Sequence, residues 1–209
     1  MTDRPLVFAT AEDFAAWLDE HHRSADHVWL ALPKKGTPAP SVTRSEALDL
    51  ALCYGWIDGQ AGAAEDSPDG WWAQRFSPRR PRSVWSRINR DRAEELIRAG
   101  RMRPAGLQEV ERAKADGRWD AAYEPPSTAR VPDDLQQALD ADPAAASAFA
   151  GLDRAGRFTI LYALQRAKRP ETRARKIAEY VARLAAGDPP RPPQRRGRPR
   201  AGGGPTAAR

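Results

Sequence analysis

Between Cys53 and Arg90 the chain places four of its seven Trp residues and six Arg residues. Trp56, Asp58, Trp72, Arg75, Arg79, Arg80, Arg82 and Trp85 form the densest group of chemically able side chains. A guanidinium grips carboxylate or phosphate through parallel N–H donors and also stacks on aromatic faces. The block therefore suits an anionic small molecule or an anionic protein partner. Pro78 and Pro81 stiffen the loop that carries the charges. Asp58, followed by Gly59, is the carboxylate best placed to join such a site. It can orient a ligand hydroxyl, act as a general base, or pair with an Arg. The same residues also support a structural reading: the Trp rings fill the core of a small sheet, and the Arg residues pair with acids elsewhere.

The charge distribution bears on that choice. Residues 1–74 carry 5 Lys and Arg against 12 Asp and Glu, whereas residues 75–103 carry 10 against 3. A formal charge of +6 therefore comes from one basic internal segment and a basic tail, over a nearly neutral body. This argues against a whole-surface polyanion binder and for local basic patches.

Other chemistries have weaker footing. His21, His22 and His27 lie close together, but no second His or Cys cluster completes a closed metal site. Neither a metal nor a cofactor is expected. Cys53 ends an apolar helix face with no His beside it in sequence, which predicts a packed thiol. The chain has no Walker loop, no dinucleotide-binding glycine motif and no nucleophile elbow.

The tail holds Arg196-Gly197-Arg198-Pro199-Arg200, which resembles an AT-hook. Gly permits close approach to the minor-groove floor, Pro holds an extended path, and Arg is drawn to the narrow groove's potential. One short hook implies weak, steeply salt-dependent DNA binding. A merely solubilising tail has the same composition.

The elements that must position these residues follow from periodicity and punctuation. Leu6–Ala9 reads as a short strand, and Thr10 caps a helix carrying Phe14, Trp17, Leu18 and His21 on one face. His27–Leu32, Ile57–Ala61 and Trp71–Phe76 read as strands. Thr43 and Glu46 make a capping box for a helix ending near Gly55. From Ser83 the pattern turns helical: Ser83–Ala99, then Pro104 to about Gly117. Pro132–Leu139, Pro143–Phe149, Arg154–Lys168 and Pro170 to Gly187 follow. The fold class is α+β: an N-terminal α+β region over 1–82, a helical region over 83–187, and a disordered Arg/Pro/Gly-rich tail over 188–209. A single Cys, no secretory segment and no apolar run near ~18 residues lead to a cytoplasmic expectation.

Several motifs together are similar to the bacterial YdeI/OmpD-associated family, also labelled bacteriocin-protection, whose C-terminal half is the OmdA-like region. They are Val28-Trp29-Leu30 with Lys34-Lys35-Gly36, Gly55-Trp56-Ile57-Asp58-Gly59 and Arg75-Phe76-Ser77-Pro78-Arg79-Arg80. Gly117-Arg118-Trp119-Asp120 and Ala167-Lys168-Arg169-Pro170-Glu171-Thr172-Arg173 extend the likeness. The resemblance implies a stress- or resistance-linked role and supplies no catalytic residues. The leading expectation is thus a non-enzymatic binding protein that uses the Arg/Trp block. The alternatives are a small cytoplasmic enzyme acting on a phosphorylated or carboxylated substrate, and a DNA-associated protein using its tail.

Overall fold

The computed structural model describes residues 4–63, 69–125 and 128–190. The chain divides into two compact units, Met1–Pro125 and Pro126–Arg209, and the class is α+β.

The first unit runs α1 (Ala11–His21), β1 (Val28–Pro33), α2 (Arg44–Cys53), β2 (Trp56–Ala63), β3 (Trp71–Pro78), α3 (Arg87–Arg98) and α4 (Pro104–Ala115). Both N-terminal caps are reciprocal boxes. Thr10 and Asp13 satisfy each other's backbone N–H groups, as do Thr43 and Glu46. The sheet is antiparallel with β3 central, in the order β1-β3-β2. A register shift between Asp58 and Ala61 bends β2 against its neighbour. The strand expected at Leu6–Ala9 shrinks to one parallel bridge between Leu6 and Leu30. Leu6 N–H donates to Trp29 O and Leu6 O accepts from Ala31 N–H, at 2.7 and 2.8 Å.

Phe14, Leu18, Leu30, Leu52, Trp56 and Phe76 pack into one core with Trp85, Leu96, Val110 and Trp119. Helices α3 and α4 therefore belong to the same core as the sheet. The change of character at residue 83 marks a switch of secondary structure inside this unit; the compact unit itself ends at Pro125. Arg87 N–H donates to Tyr123 O, and Tyr123 N–H to Trp85 O, tying residues 119–123 back beside Trp85. Helix α3 begins later than the expected Ser83. Ser83 is held in a turn by its N–H to Arg80 O, and Ser86 is the residue whose hydroxyl caps the helix at Asn89 N–H.

The second unit is helical: α5 (Asp133–Asp140), α6 (Pro143–Ala150), α7 (Arg154–Gln165) and α8 (Pro170–Ala185). Asp142 and Asp153 cap α6 and α7. Leu135, Leu139, Phe149, Ile160, Leu164 and Leu184 form its own core. Among the described residues, no helix is long and apolar enough to cross a membrane.

Candidate functional site

The turn after α2 and the end of β3 together build the site. Gly55 has φ 76°, a left-handed conformation that lets the chain reverse from α2 into β2. Its carbonyl accepts from Arg79 N–H at 3.0 Å, so the first residue after β3 is held beside this turn. The Arg79 side chain turns inward and is only 5 % exposed. Its guanidinium carbon stands 3.5 Å from the centroid of the Trp85 ring, and Nη1 donates to Val84 O at 3.3 Å. The Trp85 ring is in turn packed edge-on against Trp119 at 4.8 Å.

Nε and Nη2 of Arg79 are buried and have no hydrogen-bond partner among the described residues. Burial pushes the Arg79 pKa down to about 10; the Glu109 carboxylate opposes the shift and the nearby Arg118 cation reinforces it. A buried cation left in this state is costly unless something supplies the missing acceptors.

Helix α4 brings a carboxylate, Glu109, into the cavity that Arg79 lines. The pocket measures about 430 Å³, and its lining includes His22, Tyr54, Trp56, Arg79, Pro104 and Glu109. Glu109 accepts from Arg112 through Oε1, while its Oε2 is buried without a partner among the described residues. The close approach of α4 to α2 depends on Gly106, where a Cβ would overlap the Cys53 carbonyl oxygen. Arg103 N–H donates to that same oxygen at 3.0 Å. Arg118 lies under the loop, with Nη1 donating to Ser83 O at 2.8 Å and Nε to Asp116.

Of the eight residues picked out by sequence, Trp56 and Arg79 line the same cavity and Trp85 lies against Arg79, whereas Asp58, Trp72, Arg75, Arg80 and Arg82 are not in that lining. Trp56 and Trp85 are core residues, with Trp56 Nε1 donating to His22 O at 3.1 Å. Trp72 is half-buried against the core, Arg75 is half-buried on β3 opposite Trp29, and Arg80 and Arg82 are exposed. Asp58 is paired with Arg44 at 2.6 Å. Among the described residues, no ion pair joins Arg75, Arg79, Arg80 or Arg82 to an acid. The basic and acidic segments do meet, but through Arg92 with Asp49 at 2.5 Å and Arg103 with Asp19 at 3.8 Å. Glu109 was missed. It stands three residues after Gly106 and four before Ala113, both buried, so helical spacing places an acid beside the buried stripe.

Cys53 is buried, and burial pushes its thiol pKa up. His21 stacks on Trp17 with ring centroids 4.7 Å apart. Among the described residues, no group of His, Cys, Asp or Glu side chains is arranged to hold a metal. The AT-hook-like residues Arg196, Gly197, Arg198, Pro199 and Arg200 lie outside the described residues.

Residues 128–187 match the family described as Bacteriocin-protection, YdeI or OmpD-Associated. Over that span the chain is similar to the YdeI/OmpD-associated family. Residues 6–109 match a different family, described as a domain of unknown function (DUF8412). No curated protein and no solved structure matches. Each matched span falls within one compact unit. Every lining residue of the Arg79 pocket falls in the span of unknown function, so the Arg/Trp block lies outside the YdeI/OmpD-associated span. That span has a groove of its own, about 410 Å³, lined by Tyr162, Arg166, Lys168, Arg169, Thr172 and Lys176.

Proposed function

We propose that this chain is a non-enzymatic binding protein whose first unit holds a small anion against Arg79, in a stress- or resistance-linked role alongside its YdeI/OmpD-like span. One observation carries the reading: a guanidinium 5 % exposed, with two N–H-bearing nitrogens lacking acceptors among the described residues, lines a cavity of about 430 Å³. Cavities of this size on which polar groups converge are a usual form of a small-molecule site. Asp58 supports no catalytic part in it, since Arg44 occupies its carboxylate.

The test is thermal denaturation of the full chain with a panel of carboxylates and phosphates. An anion held at Arg79 raises the melting temperature, by about 2.7 kcal/mol of stabilisation at a concentration 100-fold above its Kd. Arg79→Met removes the rise, while Arg80→Ala with Arg82→Ala keeps it. If the rise survives in Arg79→Met, it belongs to another surface such as the groove beside α7 and α8, and the reading fails. Absence of a rise with every anion sinks it as well.

A further inference from the structure

We infer that the groove between α7 and α8 binds a small molecule carrying two linked phosphate groups. The inference stands on the second unit alone and is independent of Arg79.

The groove is built by helical spacing. Tyr162 and Ala163 precede Arg166 by four and three residues, which brings all three to one side at the end of α7. On α8, Thr172 and Lys176 are four residues apart and share a face in the same way. Lys168 and Arg169 complete the lining from the connection between the two helices.

Four lining residues are thus cations, and none of the described lining residues is Asp or Glu. Arg166, Lys168 and Arg169 are exposed and Lys176 is half-buried, so a ligand can reach them. Among the described residues no ion pair engages any of the four, whereas Asp134 holds Arg173 and Asp188 holds Arg183. Arg166 stands 5.7 Å from the Tyr162 ring and Lys176 6.0 Å from the Tyr180 ring, contacts that steady the side chains without using up their N–H donors. Acids are not scarce in this unit. Residues 128–190 hold 10 Lys and Arg against 8 Asp and Glu, yet the groove takes four of those cations and none of the acids. Like charges gathered about one cavity raise its potential and draw in an anion.

The number of charges selects the ligand. A carboxylate brings one negative charge and a single phosphate ester about 1.5 to 2 at neutral pH. Two linked phosphates bring more, within the span of one cavity. A nucleic-acid strand brings one charge per phosphate and spreads them along its length, whereas these four cations surround one groove. The Lys ammonium groups act as point charges on phosphate oxygens, and Thr172 offers a hydroxyl. The positive end of α8 begins at Pro170, beside Arg169, and adds to the same field. Tyr162, Ala163 and Ala167 give an apolar wall for the body that carries the phosphates.

Titration calorimetry of the full chain tests this, at neutral pH in about 0.15 M salt without divalent metal. The probes are pyrophosphate, ADP, geranyl diphosphate, orthophosphate, AMP, citrate and a single-stranded oligodeoxynucleotide. At least one of the three diphosphates should bind about tenfold or more tightly than each of the other four. The tightest of the three tells whether the body is absent, a nucleoside or a hydrocarbon. Arg166→Gln with Arg169→Gln should weaken that binding at least about tenfold. Both residues are exposed, so the melting temperature without ligand should hold. Arg154→Gln with Arg175→Gln removes the same charge from exposed positions outside the groove and should weaken binding far less. Arg79→Met should leave it unchanged, which separates this groove from the Arg79 cavity. Citrate, the oligonucleotide, orthophosphate or AMP binding as tightly as the best diphosphate overturns the ligand class. Equal losses in the two double variants mark diffuse attraction to a basic surface and overturn the site. Loss of binding in Arg79→Met, or no binding by any diphosphate, overturns it too.

Discussion

The Arg79 guanidinium carbon stands 3.5 Å from the centroid of the Trp85 ring, yet no described carboxylate pairs with it. The proposed anion site and a purely structural role for Arg79 differ in what removal of its side chain does. A structural buried cation is paired, and breaking its pair is strongly destabilising. An Arg kept for a ligand costs stability while it waits.

Arg79→Met should therefore melt at the same temperature as the wild type or higher near pH 7. The folded-state pKa, pushed down to about 10, means that the fold binds this proton more weakly than the unfolded chain does. The penalty is present in full below pH 10 and fades as pH rises above it. At roughly 3 kcal/mol it outweighs the lost Val84 hydrogen bond and ring contact, each worth about 1 kcal/mol. The difference between variant and wild type should narrow above pH 10. A loss of several kcal/mol at neutral pH would mark Arg79 as structural.

Gly106→Ala should be destabilising although Ala is the better helix former. The propensity gain is about 1 kcal/mol. Against it stands a Cβ overlapping Cys53 O and only 2.8 Å from Leu52 O, both backbone atoms that cannot turn aside. Helix α4 must back away from α2, at a net cost of roughly 2 kcal/mol or more. Because Glu109 rides on that helix, the response to anions should weaken with the melting temperature. An unchanged denaturation midpoint would show that the helices separate freely.

Asp58→Asn should leave anion binding intact and shift stability by less than about 1 kcal/mol. Its partner Arg44 is half exposed, at 53 %, and belongs to α2, not to the Arg block. A double-mutant cycle with Arg44→Ala should return a coupling within the same range. Loss of anion binding in Asp58→Asn would return Asp58 to the site.

The contrast between Asp58 and Glu109 shows what the sequence could and could not convey. Capping boxes, turn glycines and helical stripes are local, so Thr10, Thr43, Gly55 and Pro104 marked their elements closely. Local sequence pointed to Asp58 because Gly59 follows it and permits close backbone approach. Burial chose Glu109 instead, delivered by a helix that begins some fifty residues later and docks through Gly106. Likewise only one of four clustered Arg residues turned inward, because Arg79 alone follows β3 directly and is held by Gly55 O. The structural alternative has the clustered Arg residues pairing with acids elsewhere; the acidic and basic stretches meet through other Arg residues. Which Arg residues meet them, Arg92 and Arg103, depends on the packing of α3 and α4, which composition does not encode.

Asp134→Asn should lower the stability of the second unit at neutral pH and flatten its response to acid. The Arg173 guanidinium spans Asp134 by two bonds, at 2.5 and 2.8 Å, and reaches Leu164 O at 2.8 Å. It thus joins the start of α5 to the end of α7 from its seat on α8. Those hydrogen bonds hold the Asp134 carboxyl below its usual 3.8. A depressed acid contributes stability that is whole above its unfolded pKa and disappears as pH falls through the folded value. The wild type should therefore exceed Asp134→Asn at pH 7, and the two curves should converge below about pH 3.8. The carboxylate is 45 % exposed, so the neutral-pH difference should stay near or below about 1 kcal/mol. Arg173→Lys should lose most of it too, since an ammonium cannot hold both carboxylate oxygens and Leu164 O in one plane. Melting curves of the three proteins from pH 7 to pH 3 check this, and curves that stay parallel throughout would remove the pair from the stability of this unit.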